Sequence, residues 1–129
     1  MKNKNDLVKE WFQKADNDIL SIENNLMAEK IPTDVVCFHA QQAVEKYLKG
    51  YLIYYNIEFE FVHNLIYLNN LAIKHDNEFE KLKEISKKLN EYAVIPRYPY
   101  FYTPTLEEAK EAYKMALKVK EFVLSKVKL

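Results

Sequence analysis

Glycine is almost missing from this chain: Gly50 stands alone in 129 residues. One glycine cannot build a phosphate-cradling loop, in which several must let the backbone close on an anion. With only four prolines beside it, the chain is also too sparsely punctuated for a disordered or strand-and-turn protein. Cysteine is equally scarce. Cys37 cannot form an internal disulfide, and on the flank of an apolar helix face its expected role is a small buried hydrophobe. Net charge is absent as well, because nineteen basic side chains balance nineteen acidic ones. That balance argues against indiscriminate binding to nucleic-acid backbone, although it allows a local basic patch. No apolar run approaches the length that spans a bilayer. The stretch from Met1 to Asp6 leads into an amphipathic helix without the apolar core and cleavage site of a signal peptide, so a cytoplasmic location is expected. The histidines at 39, 63 and 75 offer no close metal-ligand pair, and no metal site is expected. The Gly-Ser and Asp-x-Asp pattern of a nucleotidyltransferase is missing too.

What remains is rich in Leu, Lys, Glu, Ala and Tyr, and apolar residues recur at three- and four-residue steps. The length fits a single domain over 1–129, with 1–5 frayed and the core at 6–126. The spacing predicts a first helix from about Asp6, its N-cap, to Ala28, burying Leu7, Trp11, Ala15, Ile19, Ile22 and Leu26. Ile31-Pro32 breaks it. A central helix follows to about Tyr55, capped by Thr33 or Asp34. Residues 56–62 alternate polar and apolar, yet no second strand is available to pair with them. They are expected to form an extended connector whose Phe59 and Phe61 pack on the bundle. A third helix over 64–74 and a fourth over 78–92 come next, then a proline-interrupted segment from Val94 to Pro104. The last helix opens with the capping box Thr105 to Glu108 and runs to about Lys126. The expected fold is all-α, an up-and-down, mainly antiparallel bundle of about five helices.

The central helix carries the most informative pattern. Val36, Ala40, Ala43, Val44, Tyr47, Tyr51 and Tyr55 make its apolar face, and His39, Gln42, Lys46 and Lys49 gather in a second stripe roughly opposite, with Glu45 beside it. The stripe is either a solvated face with an incidental histidine or a set of donors and acceptors placed for a ligand. His63, before the third helix, is either an N-cap-like tie or a second imidazole for that set. Arg97 is the only arginine. A planar guanidinium there suits a bidentate clamp on phosphate, or an internal fork to Glu45 or Glu91. Tyr98, Tyr100, Phe101 and Tyr102 around it can stack on a base, present a protein-binding patch, or seal the end of the bundle. Ten tyrosines and seven phenylalanines also exceed what one small core readily hides, which suggests a homodimer face of exposed tyrosines.

Four segments carry a family resemblance. Residues 38–49, Phe-His-Ala-Gln-Gln-Ala-Val-Glu-Lys-Tyr-Leu-Lys, resemble the central helix of the HEPN family (higher eukaryotes and prokaryotes nucleotide-binding domains). Residues 11–18 resemble its first helix, His63-Asn64-Leu65 its His-Asp/Asn-Leu element, and Arg97-Tyr98-Pro99 the segment before its last helix. The likeness runs from about Val8 to Val123 and is to the stand-alone prokaryotic type. It implies a bundle similar to the helical domain of kanamycin nucleotidyltransferase. It further implies a non-catalytic module that binds a nucleotide such as ATP, not as a tightly held cofactor, beside a separately encoded minimal nucleotidyltransferase. Such a two-component system would be of toxin–antitoxin kind. By the same resemblance His39, Gln42, Glu45, Lys46, Lys49, His63, Arg97 and Tyr98 would meet the nucleotide or the partner, and neither RNA nor a membrane is expected. HEPN nucleases carry Arg, four to six residues, then His; here no histidine follows Arg97. The chain departs from that pattern, so the alternatives of a ribonuclease toxin recruiting His39 or His63, or a purely structural dimerising protein, stand second.

Overall fold

Local sequence decides where each helix begins. In the computed structural model, which describes residues 2–93 and 103–129, helix α1 runs Lys4–Leu26. Its N-cap is Asn3, whose Oδ1 accepts the Asp6 N–H at 2.9 Å, while the Asp6 carboxylate accepts the Asn3 N–H at 3.3 Å. Asp6 is thus the inner half of a capping box and not the cap, and Lys4 and Asn5 are helical where fraying was expected. Helix α2 spans Thr33–Tyr54, with Pro32 at its N-cap and no side-chain cap. Thr33, expected as a cap, instead donates its hydroxyl to the Pro104 carbonyl at 2.6 Å. Helix α3, Leu65–His75, is capped by Asn64. The expected fourth helix divides into a 3-10 turn at Asn77–Leu82, helix α4 at Lys83–Asn90 and a second 3-10 turn at Glu91–Ala93. The division has a local cause. The Phe79 carbonyl, which an α-helix would offer to Lys83, accepts from the Asn69 side chain at 3.2 Å, and the Lys83 N–H turns to Glu80. Helix α5, Leu106–Leu124, begins on the expected Thr105–Glu108 capping box. Val94 to Tyr102, with Arg97 and Tyr98, lie outside the described residues.

These five helices form a bundle, with no strand among the described residues. Helix α2 is its axis, and none of its residues is fully exposed. Helix α1 runs antiparallel to it: Phe12 lies at Gly50, and Asp18 meets His39. Helix α5 runs parallel to α2, tied at one end by Thr33 to Pro104 and at the other by the hydroxyls of Tyr54 and Tyr55 to the carbonyls of Lys128 and Lys126. The connector from Tyr55 to Asn64 travels back along α2, so that His63 reaches Glu45 while His75, at the far end of α3, meets Tyr51. Helix α3 therefore also points the way α2 does.

The core holds Tyr47, Leu48, Tyr51, Leu52, Leu65, Phe79, Leu82 and Leu89 with the small residues of α5. Each fully buried aliphatic side chain contributes roughly 1.5–3 kcal/mol. Helix α1 buries Val8, Phe12, Ala15, Ile19 and Ile22. Leu7, expected inside, is 41% exposed, and Trp11 is half-buried. Over its first two turns the face is shifted by one residue, and Gly50 leaves room for Phe12: a Cβ there would stand 2.5 Å from the ring; from Ala15 onward the expected residues are inside. In the connector, Phe59 packs against the core as expected, but Phe61 is 97% exposed. The Val62 N–H bonds the Glu60 carbonyl, a tight turn with Phe61 at its tip. Cys37 is fully buried, and burial pushes its thiol up to about 12, against the lowering effect of a hydrogen bond with Tyr92.

Candidate functional site

Two carboxylates are buried among apolar residues. Asp18 falls between Ala15 and Ile22 on the buried face of α1, and Glu45 lies beside Val44 and Leu48 on α2. A buried carboxylate needs donors, and each of these has found a histidine and a lysine.

Around Asp18, the His39 Nδ1 contacts Oδ1 at 2.8 Å and the Lys46 Nζ contacts Oδ2 at 2.6 Å. An ionised carboxylate only accepts, so Nδ1 carries the proton and Nε2 is left for another partner. His39 and Lys46 keep 27% and 21% of their side chains exposed, while Asp18 keeps 9%. Gln42 lies between them in the helical series 39, 42, 46 and is also half-buried. Two residues earlier on α1, Asp16 accepts from the Tyr47 hydroxyl and pairs with Lys120 at 3.1 Å. Burial, and after it the Asp16 hydrogen bond, push the Tyr47 phenol well above its usual range, so it offers no nucleophile near neutral pH.

Around Glu45, Lys49 donates to Oε2 at 3.1 Å, the His63 Nδ1 stands 3.1 Å from both oxygens, and the Gln41 amide donates at 3.3 Å. Gln42 in turn donates to the Gln41 carbonyl oxygen at 2.7 Å, joining the two sides of α2. Lys49 is enclosed: its side chain is 6% exposed, and its Nζ lies 5.6 Å from the Trp11 ring centre and 6.0 Å from that of Phe59. His63 is 73% exposed and is not the cap of α3, a place taken by Asn64.

The expected stripe is therefore neither solvated nor a single set. His39, Gln42 and Lys46 reach the surface together on the α1 side, whereas Glu45 and Lys49 turn inward and hold His63. Arg97 and Tyr98 cannot be placed against either group, since both lie outside the described residues. Asp18 is the residue that sequence reading missed. Its signal was an acid at the i+3 position from Ala15 and i−4 from Ile22, inside an apolar stripe. Gln41 carries the same signal on α2. Among the described residues, Tyr47, Tyr51 and Tyr92 are buried, Tyr54, Tyr55, Tyr67 and Tyr113 are half-buried, and no tyrosine is exposed; Tyr98, Tyr100 and Tyr102 lie outside them. The hydroxyls of Tyr54 and Tyr55 donate to carbonyls of the tail after α5, and that of Tyr113, on α5, donates to Glu23.

Among the described residues no group of three or more His, Cys, Asp or Glu side chains is placed to hold a metal ion, and no helix is long and apolar enough to cross a membrane. A groove of about 590 Å³ lies between Lys4, Ile53, Asn56, Ile57, Glu58 and Phe59, and a smaller one of about 200 Å³ between Leu7, Glu10, Trp11 and Lys14. Neither is lined by His39, Gln42 or Lys46. In the comparison with known families, the model of the HEPN domain matches residues 8–127. No curated protein and no solved structure matches.

Proposed function

The chain belongs to the HEPN family, and on that premise we propose that it is a non-catalytic module that binds a nucleotide phosphate and works beside a separately encoded minimal nucleotidyltransferase. The family consists of helical modules of nucleotide-binding or RNase-like character. The observation that carries the binding reading is the shared seat of His39 and Lys46 on buried Asp18. That seat fixes a cation and an imidazole at one spot before any ligand arrives, so less ordering cost falls on binding. Lys46 supplies charge to the phosphate, and His39 Nε2 and Gln42 supply hydrogen bonds. By the family resemblance Arg97 and Tyr98, which lie outside the described residues, would add a guanidinium clamp and a stacking ring. Lys49 takes no part in contact, because Glu45, Trp11 and Phe59 already surround it. The second surface that closes over the nucleotide comes from the nucleotidyltransferase.

The test is calorimetric titration of ATP into the wild-type protein, Lys46→Ala and Arg97→Ala, with thermal melting alongside, followed by affinity capture of the tagged protein from its native cell. A loss of about tenfold or more in affinity in variants that still melt as folded bundles supports the reading, as does stoichiometric recovery of a small nucleotidyltransferase. Absence of binding at millimolar nucleotide together with recovery of the protein alone overturns it. A second reading draws on the same pair, since an imidazole oriented through Nδ1 by a carboxylate is also the arrangement of a general base. Growth arrest on induced expression, relieved by His39→Ala, would favour a ribonuclease.

A further inference from the structure

Two buried carboxylates decide which hydrogen-bonding atoms α2 has left to offer. An ionised carboxylate only accepts, so each neighbour must turn a donor toward it. Glu45 takes an N–H of the buried Gln41 amide at 3.3 Å, which leaves the Gln41 carbonyl oxygen to accept from Gln42 at 2.7 Å. Gln42 thus has one N–H committed inward, and keeps one N–H and its oxygen for a ligand. On the α1 side, Asp18 takes the Nδ1 proton of His39 at 2.8 Å and one ammonium hydrogen of Lys46 at 2.6 Å. A neutral His39 then presents a bare lone pair at Nε2, the wrong polarity for an anion. Charge points the same way. Asp18 and Lys46 cancel, so with a neutral imidazole the seat carries no net charge. Asp16 and Lys120 cancel as a pair at 3.1 Å between α1 and α5, and Glu45 and Lys49 cancel within α2. The Phe38 ring, edge-on to the imidazole with centres 5.7 Å apart, adds no charge. One proton on Nε2 changes both balances. The lone pair becomes a donor and the seat becomes positive, while Nδ1 keeps its bond to Asp18 in either form.

We infer that the Asp18 seat binds phosphate with uptake of one proton at His39 Nε2, and gives that proton back when the phosphate leaves. The proton comes from solvent, and no bond of the phosphate changes. Proton uptake presupposes the phosphate-binding reading above and gives it a sign in pH. Affinity rises as the solution becomes more acidic through the range where imidazoles titrate, around 6.5. A general base requires the opposite state, a neutral Nε2, so ribonuclease activity would rise with pH over the same range. The two readings share one pair of side chains, and pH divides them.

The experiment follows the His39 imidazole by nuclear magnetic resonance from about pH 5 to about pH 9, with and without saturating ATP. The chain has three histidines, so His63→Gln and His75→Gln assign the resonances by elimination and His39 itself stays intact. Calorimetric titration of ATP at about pH 6 and about pH 8 runs alongside. The terminal phosphate of ATP titrates in the same range, and His39→Gln supplies the reference that removes its share. Saturating ATP should move the His39 titration up by about one pH unit or more. Between the two pH values, wild-type affinity should fall about tenfold more than that of His39→Gln. Binding with an unmoved His39 titration overturns proton uptake and leaves phosphate binding standing. Binding that strengthens with rising pH overturns it as well. Absence of binding at millimolar ATP at either pH removes the phosphate-binding reading and proton uptake together.

Discussion

The two buried carboxylates are built from the same parts and put to different uses. Asp18 and Glu45 each bind one histidine through Nδ1 and one lysine through Nζ. At Asp18 the carboxylate is the hidden member, and both of its partners reach solvent. At Glu45 the lysine is hidden as well, and only the histidine of the connector emerges. The difference lies in what surrounds the lysine. Lys46 borders open surface, whereas Trp11 and Phe59 close over Lys49 and take it out of water. One set presents donors. The other pins a returning connector to the central helix.

Substitutions separate the two uses, and the largest effect is expected at Glu45. Glu45→Ala leaves Lys49 charged and buried without its partner, which costs about 3–5 kcal/mol in urea unfolding. Glu45→Ala combined with Lys49→Met should recover most of that loss, and failure to recover would mean that packing matters there more than charge. Asp18→Ala comes next, at about 1–3 kcal/mol, because its partners can turn to water. Its larger signature should be nucleotide affinity falling together with stability, whereas Lys46→Ala, which leaves Asp18 its contact with His39, should lower affinity at a smaller cost in stability. His63→Ala should change unfolding by less than about 1 kcal/mol, since that ring is mostly exposed, while increasing amide exchange in the connector.

The smallest effect is at a surface counterpart of the two, Asp76 with Lys126 at 2.9 Å. The hydrogen bond from Lys126, ahead of a backbone hydrogen bond with Glu78, holds the Asp76 carboxyl below its ordinary 3.8. A group whose value is lowered by folding stabilises the fold above its unfolded value and loses that contribution as pH falls through the folded one. Lys126→Ala should therefore leave the acid limb of a stability profile below about pH 4 slightly flatter and alter the neutral region little.

Much of the fold could be read from residue spacing. The bounds of α2, α3 and α5 fall within a residue or two of expectation, because long periodic stretches and the Thr105–Glu108 box are local signals. The turned face of α1 could not, since Leu7 and Trp11 fit the same spacing as Val8 and Phe12 and only the partner surface at Gly50 chooses between them. The site was legible as residue types but not as groups. Spacing along α2 places His39, Gln42, Lys46 and Lys49 together; it does not show that Asp18, from 21 positions away from His39, claims two of them. A lysine on the polar side of a helical wheel looks solvated until an aromatic residue from elsewhere covers it, as happens to Lys49.

Cys37 gives the bundle a built-in clock. Its thiol is enclosed by α2 and Tyr92, and a value near 12 leaves almost no thiolate at neutral pH while the fold is closed. A thiol reagent can therefore modify it only in those moments when the covering elements lift away, and the chain has no other sulfhydryl to confuse the reading. At reagent concentrations where alkylation outruns reclosing, its rate counts how often the cover over Cys37 opens, and at lower concentrations it reports the open fraction, without an introduced label.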